Sequence, residues 1–164
     1  MHRGRQMAET QPTVADAADR YFQEGLNCAQ AVLRAIAEAR GFACPQCIPG
    51  VALAMGGGVG LTGHVCGAAT GGVMAIGLAV DKAAGGPAEK KQAAYRAAGR
   101  LVREFAAVFG SADCRDILGF DWSEPDALQR ARRENIKSCK CTPCVRWAAE
   151  EADRLIAEFR SAPH

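Results

Sequence analysis

Large aromatic side chains are scarce in this chain of 164 residues, which has two Trp, two Tyr and six Phe. A core assembled mostly from small side chains is expected. The 49% of apolar residues, much of it alanine, suits closely packed helices, and the length suffices for one core without disulfides. Charge of one sign is also lacking. A net charge of +2 points neither to nucleic acid nor to an anionic membrane. Apart from short apolar pieces near Val51, no run alternates with period two, so a sheet is not expected. The class is all-α, a single compact domain of about five to six helices over residues 13–164 behind a disordered leader at 1–12.

Other absences narrow the function. The first residues are basic but have no apolar h-region and no twin-arginine pair, so no export signal is expected and the chain reads as cytoplasmic. Residues 51–80 contain no Asp, Glu, Lys or Arg, yet nine of these thirty are glycine. Neither 51–61 nor 65–80 reaches the ~20 apolar residues that a membrane span needs, and no insertion is expected. The run Met55-Gly56-Gly57-Gly58-Val59-Gly60 lacks the Gly-Lys-Ser/Thr ending of a phosphate loop, which excludes a nucleotide on this motif. No Cys-x-x-Cys-His exists, so haem attachment is excluded too. No Ser-His-Asp set or carboxylate pair stands out.

What the chain does have is cysteine, eight in all. Asn27 reads as the N-cap of a helix over 28–40, which puts Cys28 at its first position. Cys66 opens a buried small-residue helix over 66–80. Cys114 lies in a short turn at 112–118, after a helix over 87–109. A helix over 123–136 follows, and Cys141 precedes a last helix over 143–160 capped by Thr142. A helix start offers unpaired N–H groups and partial positive charge, which favour a thiolate. Thiolate binds soft metals and attacks disulfides. The four helix-start cysteines either form one site or are scattered, small buried hydrophobes.

The other four, with Cys141 between two of them, make two chelating half-sites, Cys44-x-x-Cys47 and Cys139-x-Cys141-x-x-Cys144. Brought together, Cys44, Cys47, Cys139 and Cys144 could hold zinc or a second iron–sulfur site. His64 is either a polar loop residue or a ligand beside Cys66. Arg130, Arg132, Arg133, Lys137 and Lys140 form a basic stretch, read as a solvated helix face or a dock for an acidic redox protein.

Gly25-Leu26-Asn27-Cys28-Ala29-Gln30-Ala31-Val32, Met55-Gly56-Gly57-Gly58, Cys66-Gly67-Ala68-Ala69-Thr70-Gly71 and Cys114-Arg115-Asp116-Ile117-Leu118-Gly119 together resemble the C-GCAxxG-C-C family of redox-active proteins. The resemblance runs over about 15–158. It implies a redox function with Cys28, Cys66, Cys114 and a C-terminal cysteine as its residues. Cys141 is chosen for the last, since Val145 follows four residues on, with Cys144 as the rival. Related sequence in split-Soret cytochromes accompanies an iron–sulfur cluster. Three expectations follow. The first is electron transfer through a cluster on Cys28, Cys66, Cys114 and Cys141, with an unidentified protein partner. The second is a metal-free thiol–disulfide oxidoreductase or sensor using Cys28 and Cys66. The third is a zinc-stabilised binding protein. A homodimer through the small-residue helix is compatible with each.

Overall fold

The computed structural model describes residues 12–43 and 48–161. Residues 1–11 of the expected leader, and Cys44 and Cys47, lie outside the described residues. The rest is helical: α1 (Val14–Gln23), α2 (Cys28–Ala39), α3 (Ile48–Val51), α4 (Gly67–Asp81), α5 (Pro87–Phe109), α6 (Cys114–Leu118), α7 (Ala127–Arg133) and α8 (Thr142–Ser161). The one extended pairing among the described residues is an isolated antiparallel bridge between Val65 and Asp113. The all-α class stands. None of the described helices is long and apolar enough to cross a membrane.

Local signals set most boundaries. Thr13 caps α1 by accepting from the Asp16 N–H at 3.1 Å, and Asp16 returns the bond to the Thr13 N–H. Asn27 does the same for α2, accepting from the Gln30 N–H at 2.9 Å while the Gln30 side chain accepts from Asn27 N. Pro87 opens α5, and left-handed Gly110 closes it.

The charge-free stretch explains the architecture. α4 is apolar on nearly all sides, so burial is its only stable solution in water. It runs through the middle, packed on α2, α5 and α8, while α1 closes the bundle against α2 and α8. Its glycines permit this. A β-carbon at Gly71 would stand 2.6 Å from the Ala29 carbonyl, and one at Gly72 would stand 2.7 Å from Leu101. Around its Ile76 lie Leu33, Ile36, Leu101, Phe105 and Ile156, all essentially without solvent contact.

Three boundaries differ from expectation, the first being the end of the helix expected to reach Ile136, which stops at Arg133. Ser123–Asp126 forms turns, and helix starts only at Ala127, because Asp121 accepts from the Ser123 N–H and hydroxyl and holds the chain in a local turn. Thr142 does not cap α8. Its backbone is helical, and Lys137–Cys141 form a π turn that runs straight into it, with the Thr142 N–H bonded to the Lys137 carbonyl. Cys141 therefore lies within a continuous rod rather than at a free helix start.

The structure has two cores. The larger is the bundle itself. The smaller comprises Cys114, Leu118, Phe120, Ala127 and Ile136, with Trp122 against it. Cys141 packs against both.

Candidate redox site at the seam of two cores

Cysteines that are distant in sequence meet at this seam. Cys28 is the first residue of α2, and Cys66 is the N-cap of α4. Their approach is enforced by Gly67, where a β-carbon would lie 3.2 Å from the Cys28 Cβ and 3.1 Å from the Met55 carbonyl. Any larger residue at 67 would push the starts of α2 and α4 apart by a few tenths of an ångström.

Cys114 enters through the glycine run. Gly58 has a positive φ of 71°, and a β-carbon there would stand 2.4 Å from the His64 carbonyl and 2.8 Å from the Cys114 Cβ. The run thus builds a strap around Cys114. The Cys114 N–H donates to the His64 carbonyl at 2.7 Å, and the Cys66 N–H donates to the Ala112 carbonyl at 2.8 Å. Arg115 reaches back to donate to the Thr62 carbonyl at 3.0 Å. His64 itself is exposed, with its Nδ1 3.4 Å from Arg115 Nη2.

Cys141 and Cys144 arrive on the rod formed by the π turn and α8. Lys140 fixes the rod's start by donating to the Ile117 and Leu118 carbonyls at 2.7 and 3.0 Å. This satisfies the C-terminal end of α6 with a cation. Three residues apart in a helix, Cys141 and Cys144 lie toward the same side.

The thiols are held as two contacts, with a fifth sulfur beside them. Cys28 and Cys141 hydrogen-bond through sulfur, and so do Cys66 and Cys144. In the first pair, Cys28 is the harder sulfur to ionise. Donation to Cys141 and then burial push its pKa up, while Cys141 is drawn down by accepting that bond and by Lys137 and Lys140 nearby. In the second pair, Cys66 is the sulfur whose pKa is drawn down. It accepts from Cys144, and although it makes no regular capping bond, the Ala68 and Ala69 N–H groups of α4 stabilise its charge. Cys144 is correspondingly raised. Burial pushes Cys114 up to about 12, opposed by the Trp122 indole. The Trp122 Nε1 is buried and makes no regular hydrogen bond, with the Cys114 sulfur as its neighbour.

Of the four expected site residues, Cys66 and Cys114 are buried and Cys28 and Cys141 are half-buried. Cys144, read from sequence as part of a second site, lies buried beside Cys66, while Cys139 is exposed. Among the described residues no group of three or more His, Cys, Asp or Glu side chains surrounds a point as a single metal ion would require. An open cavity of about 460 Å³ reaches the Cys28–Cys141 pair between Phe22, Trp122 and Ile136. Sequence reasoning missed it, because its walls come from three separate segments with no shared local pattern.

Comparison with known proteins agrees with the motif. The family described as "Putative redox-active protein (C_GCAxxG_C_C)" matches residues 26–155. An uncharacterized protein of Archaeoglobus fulgidus is 30% identical over 102 residues, covering 58% of this chain and 68% of that protein. No solved structure matches.

Proposed function

The chain belongs to the C_GCAxxG_C_C family of redox-active proteins, and from that premise we propose that its redox centre is an iron–sulfur cluster bound by Cys28, Cys66, Cys114 and Cys141. One observation carries this reading: five sulfurs, from α2, α4, α6 and the C-terminal rod, gather where the two cores meet. A two-iron cluster takes thiolates in pairs, one pair on each iron, so it does not need three sulfurs around a single point. The buried Trp122 N–H fits the same reading, since an unpaired buried donor costs about 1–3 kcal/mol and a coordinated thiolate is a strong acceptor.

The cluster, when bound, supplies one-electron transfer. The chain's own groups have distinct tasks. The Ala68 and Ala69 amides offset the charge on Cys66, and the Cys144 thiol donates to the Cys66 sulfur. Lys137 and Lys140 offset the charge on Cys141. Donors to sulfur and nearby positive charge raise a cluster's reduction potential. Anaerobically purified protein should be brown, contain iron and sulfide in matching amounts, and lose visible absorbance on reduction. Colourless protein that iron and sulfide cannot reconstitute would sink the proposal.

A second reading is favoured by the contact between Cys28 and Cys141 at an open cavity. As a metal-free dithiol, the Cys141 thiolate attacks a disulfide, forms a mixed disulfide and releases one thiol. Cys28 then loses its proton, attacks the mixed disulfide and releases the second thiol, leaving a Cys28–Cys141 disulfide. In metal-free folded protein Cys141 should then alkylate faster than an ordinary thiol at neutral pH. Uniformly slow alkylation in that protein rules the dithiol out.

A further inference from the structure

We infer that the cavity beside Cys28 and Cys141 is a binding site for a small organic anion with a flat apolar body, an aromatic carboxylate. This goes beyond the redox reading and holds whether those sulfurs carry iron or act as thiols.

Size comes first. About 460 Å³ falls in the range of small-molecule sites, roughly 300–1,000 Å³. The walls are apolar and partly aromatic: Phe22, Trp122 and Ile136, with Ala131 leaving room between them. Trp122 is held edge-on to Phe120, with ring centroids 5.2 Å apart at 77°, so one side of the cavity is a fixed ring. A flat hydrocarbon body fits such a slot, because rings pack on rings in offset or edge geometry.

The charge at the rim has one sign. No Asp or Glu lines the cavity, whereas Arg132 and Lys137 both do. Both are exposed, and neither makes an ion pair with any described residue. Their neighbour Arg130 shows the contrast, since Glu124 and Glu134 neutralise it. Lys137 is already drawn over the rim, its ammonium 4.8 Å from the centre of the Phe22 ring. A guanidinium takes a carboxylate with two parallel bonds, and a lysine beside it adds a point charge. Asn27 and Asn135 add amide groups to the lining. The basic stretch noted in the sequence is therefore not uniform: Arg130 and Lys140 are used internally, while Arg132 and Lys137 face the cavity.

The test uses the full chain as purified under anaerobic conditions. Titration calorimetry compares naphthoate with naphthylmethanol and naphthylmethylammonium, three probes that share a ring body and differ in charge. Naphthoate should bind saturably and at least about tenfold more tightly than either of the others. Arg132→Gln combined with Lys137→Gln should remove that preference while leaving affinity for the alcohol unchanged. Ala131→Trp should fill the slot and abolish binding of all three. The double variant is on the surface, so it keeps the test decisive if Ala131→Trp fails to fold. Equal binding of the three probes, no binding of naphthoate, or an unchanged preference in the double variant overturns the inference. Iron, sulfide and thiol content measured on the same samples separates this site from the redox centre. Full iron without naphthoate affinity defeats the cavity alone, and naphthoate binding by protein that cannot hold a cluster defeats the cluster alone.

Discussion

Gly67 is pressed against Cys28, and the space of a single β-carbon is what separates the starts of α2 and α4. Replacing that hydrogen with a side chain should pry the two cysteine-bearing helix ends apart without altering any sulfur. Gly67→Val is expected to cost about 1–3 kcal/mol by overpacking and to lower iron content or thiol reactivity sharply. Far-ultraviolet circular dichroism, denaturant titration and iron analysis on one preparation check it. Wild-type iron content in this variant would mean that the approach of the two helices is not needed.

Cys114 and Cys144 have different assigned roles, one a ligand and one a donor to the Cys66 sulfur. Cys114→Ser should abolish cluster binding with most helix retained. Cys144→Ala should keep iron but lower the reduction potential, since one hydrogen bond to sulfur is lost. Cys66→Ser should behave as Cys114→Ser does, and exposed Cys139→Ser should change nothing. Spectroelectrochemistry and iron analysis distinguish these outcomes, and the reverse pattern would exchange the roles of Cys114 and Cys144.

Asn27 caps the helix that carries Cys28 and also donates to the Leu53 carbonyl at 2.9 Å and the Ala52 carbonyl at 3.2 Å. Asn27→Ala should therefore cost at least the ~1 kcal/mol of a lost cap, and it also removes the side-chain donor to the two carbonyls that follow α3. Asn27→Ser keeps the cap but not the reach, and should fall between wild type and alanine in urea unfolding. Equal stability of the alanine and serine variants would show that the loop bonds carry the effect.

Asp16 joins α1 to α8 through Arg146 at 2.8 Å. Arg146 first, and then the Thr13 N–H and hydroxyl, hold its pKa at about 2 against an ordinary 3.8. A carboxylate lowered by folding stabilises the native state wherever it is ionised in both states. This contribution is complete above about 3.8 and is lost as pH falls toward about 2. Asp16→Asn should flatten the acid limb of stability against pH in that window and leave its slope near neutrality unchanged. An identical acid limb in the variant would assign the loss to other carboxylates.

Much of the fold was legible because its signals are local. Asn27 announces a helix start, and the charge-free run at 51–80 announces a buried helix. The cysteines at positions 28, 66 and 114 were legible for the same reason, since capping residues and motif glycines lie beside each. The π turn was not. Nothing in Lys137–Cys141 prevents ordinary helix, and the Lys140 contact that accompanies the turn, to α6, is long-range. The place of Cys144 beside Cys66 was hidden too, because the spacing Cys139-x-Cys141-x-x-Cys144 reads equally well as a chelating loop. Val59 and Leu61, at positive φ of 63° and 65°, break a steric rule that no sequence pattern flags.

The π turn also sets a phase. Each α-helical residue advances the chain by about 100° around its axis, so one extra residue in a turn swings everything beyond it by that amount. Ile136 before the turn serves the smaller core, and Val145, Ala148 and Ala152 after it serve the larger. One unbroken rod thereby presents two apolar faces pointing in different directions, with Cys141 at the changeover. Removing a single residue between 137 and 141 would realign the two faces into one stripe and leave one of the two cores without its wall.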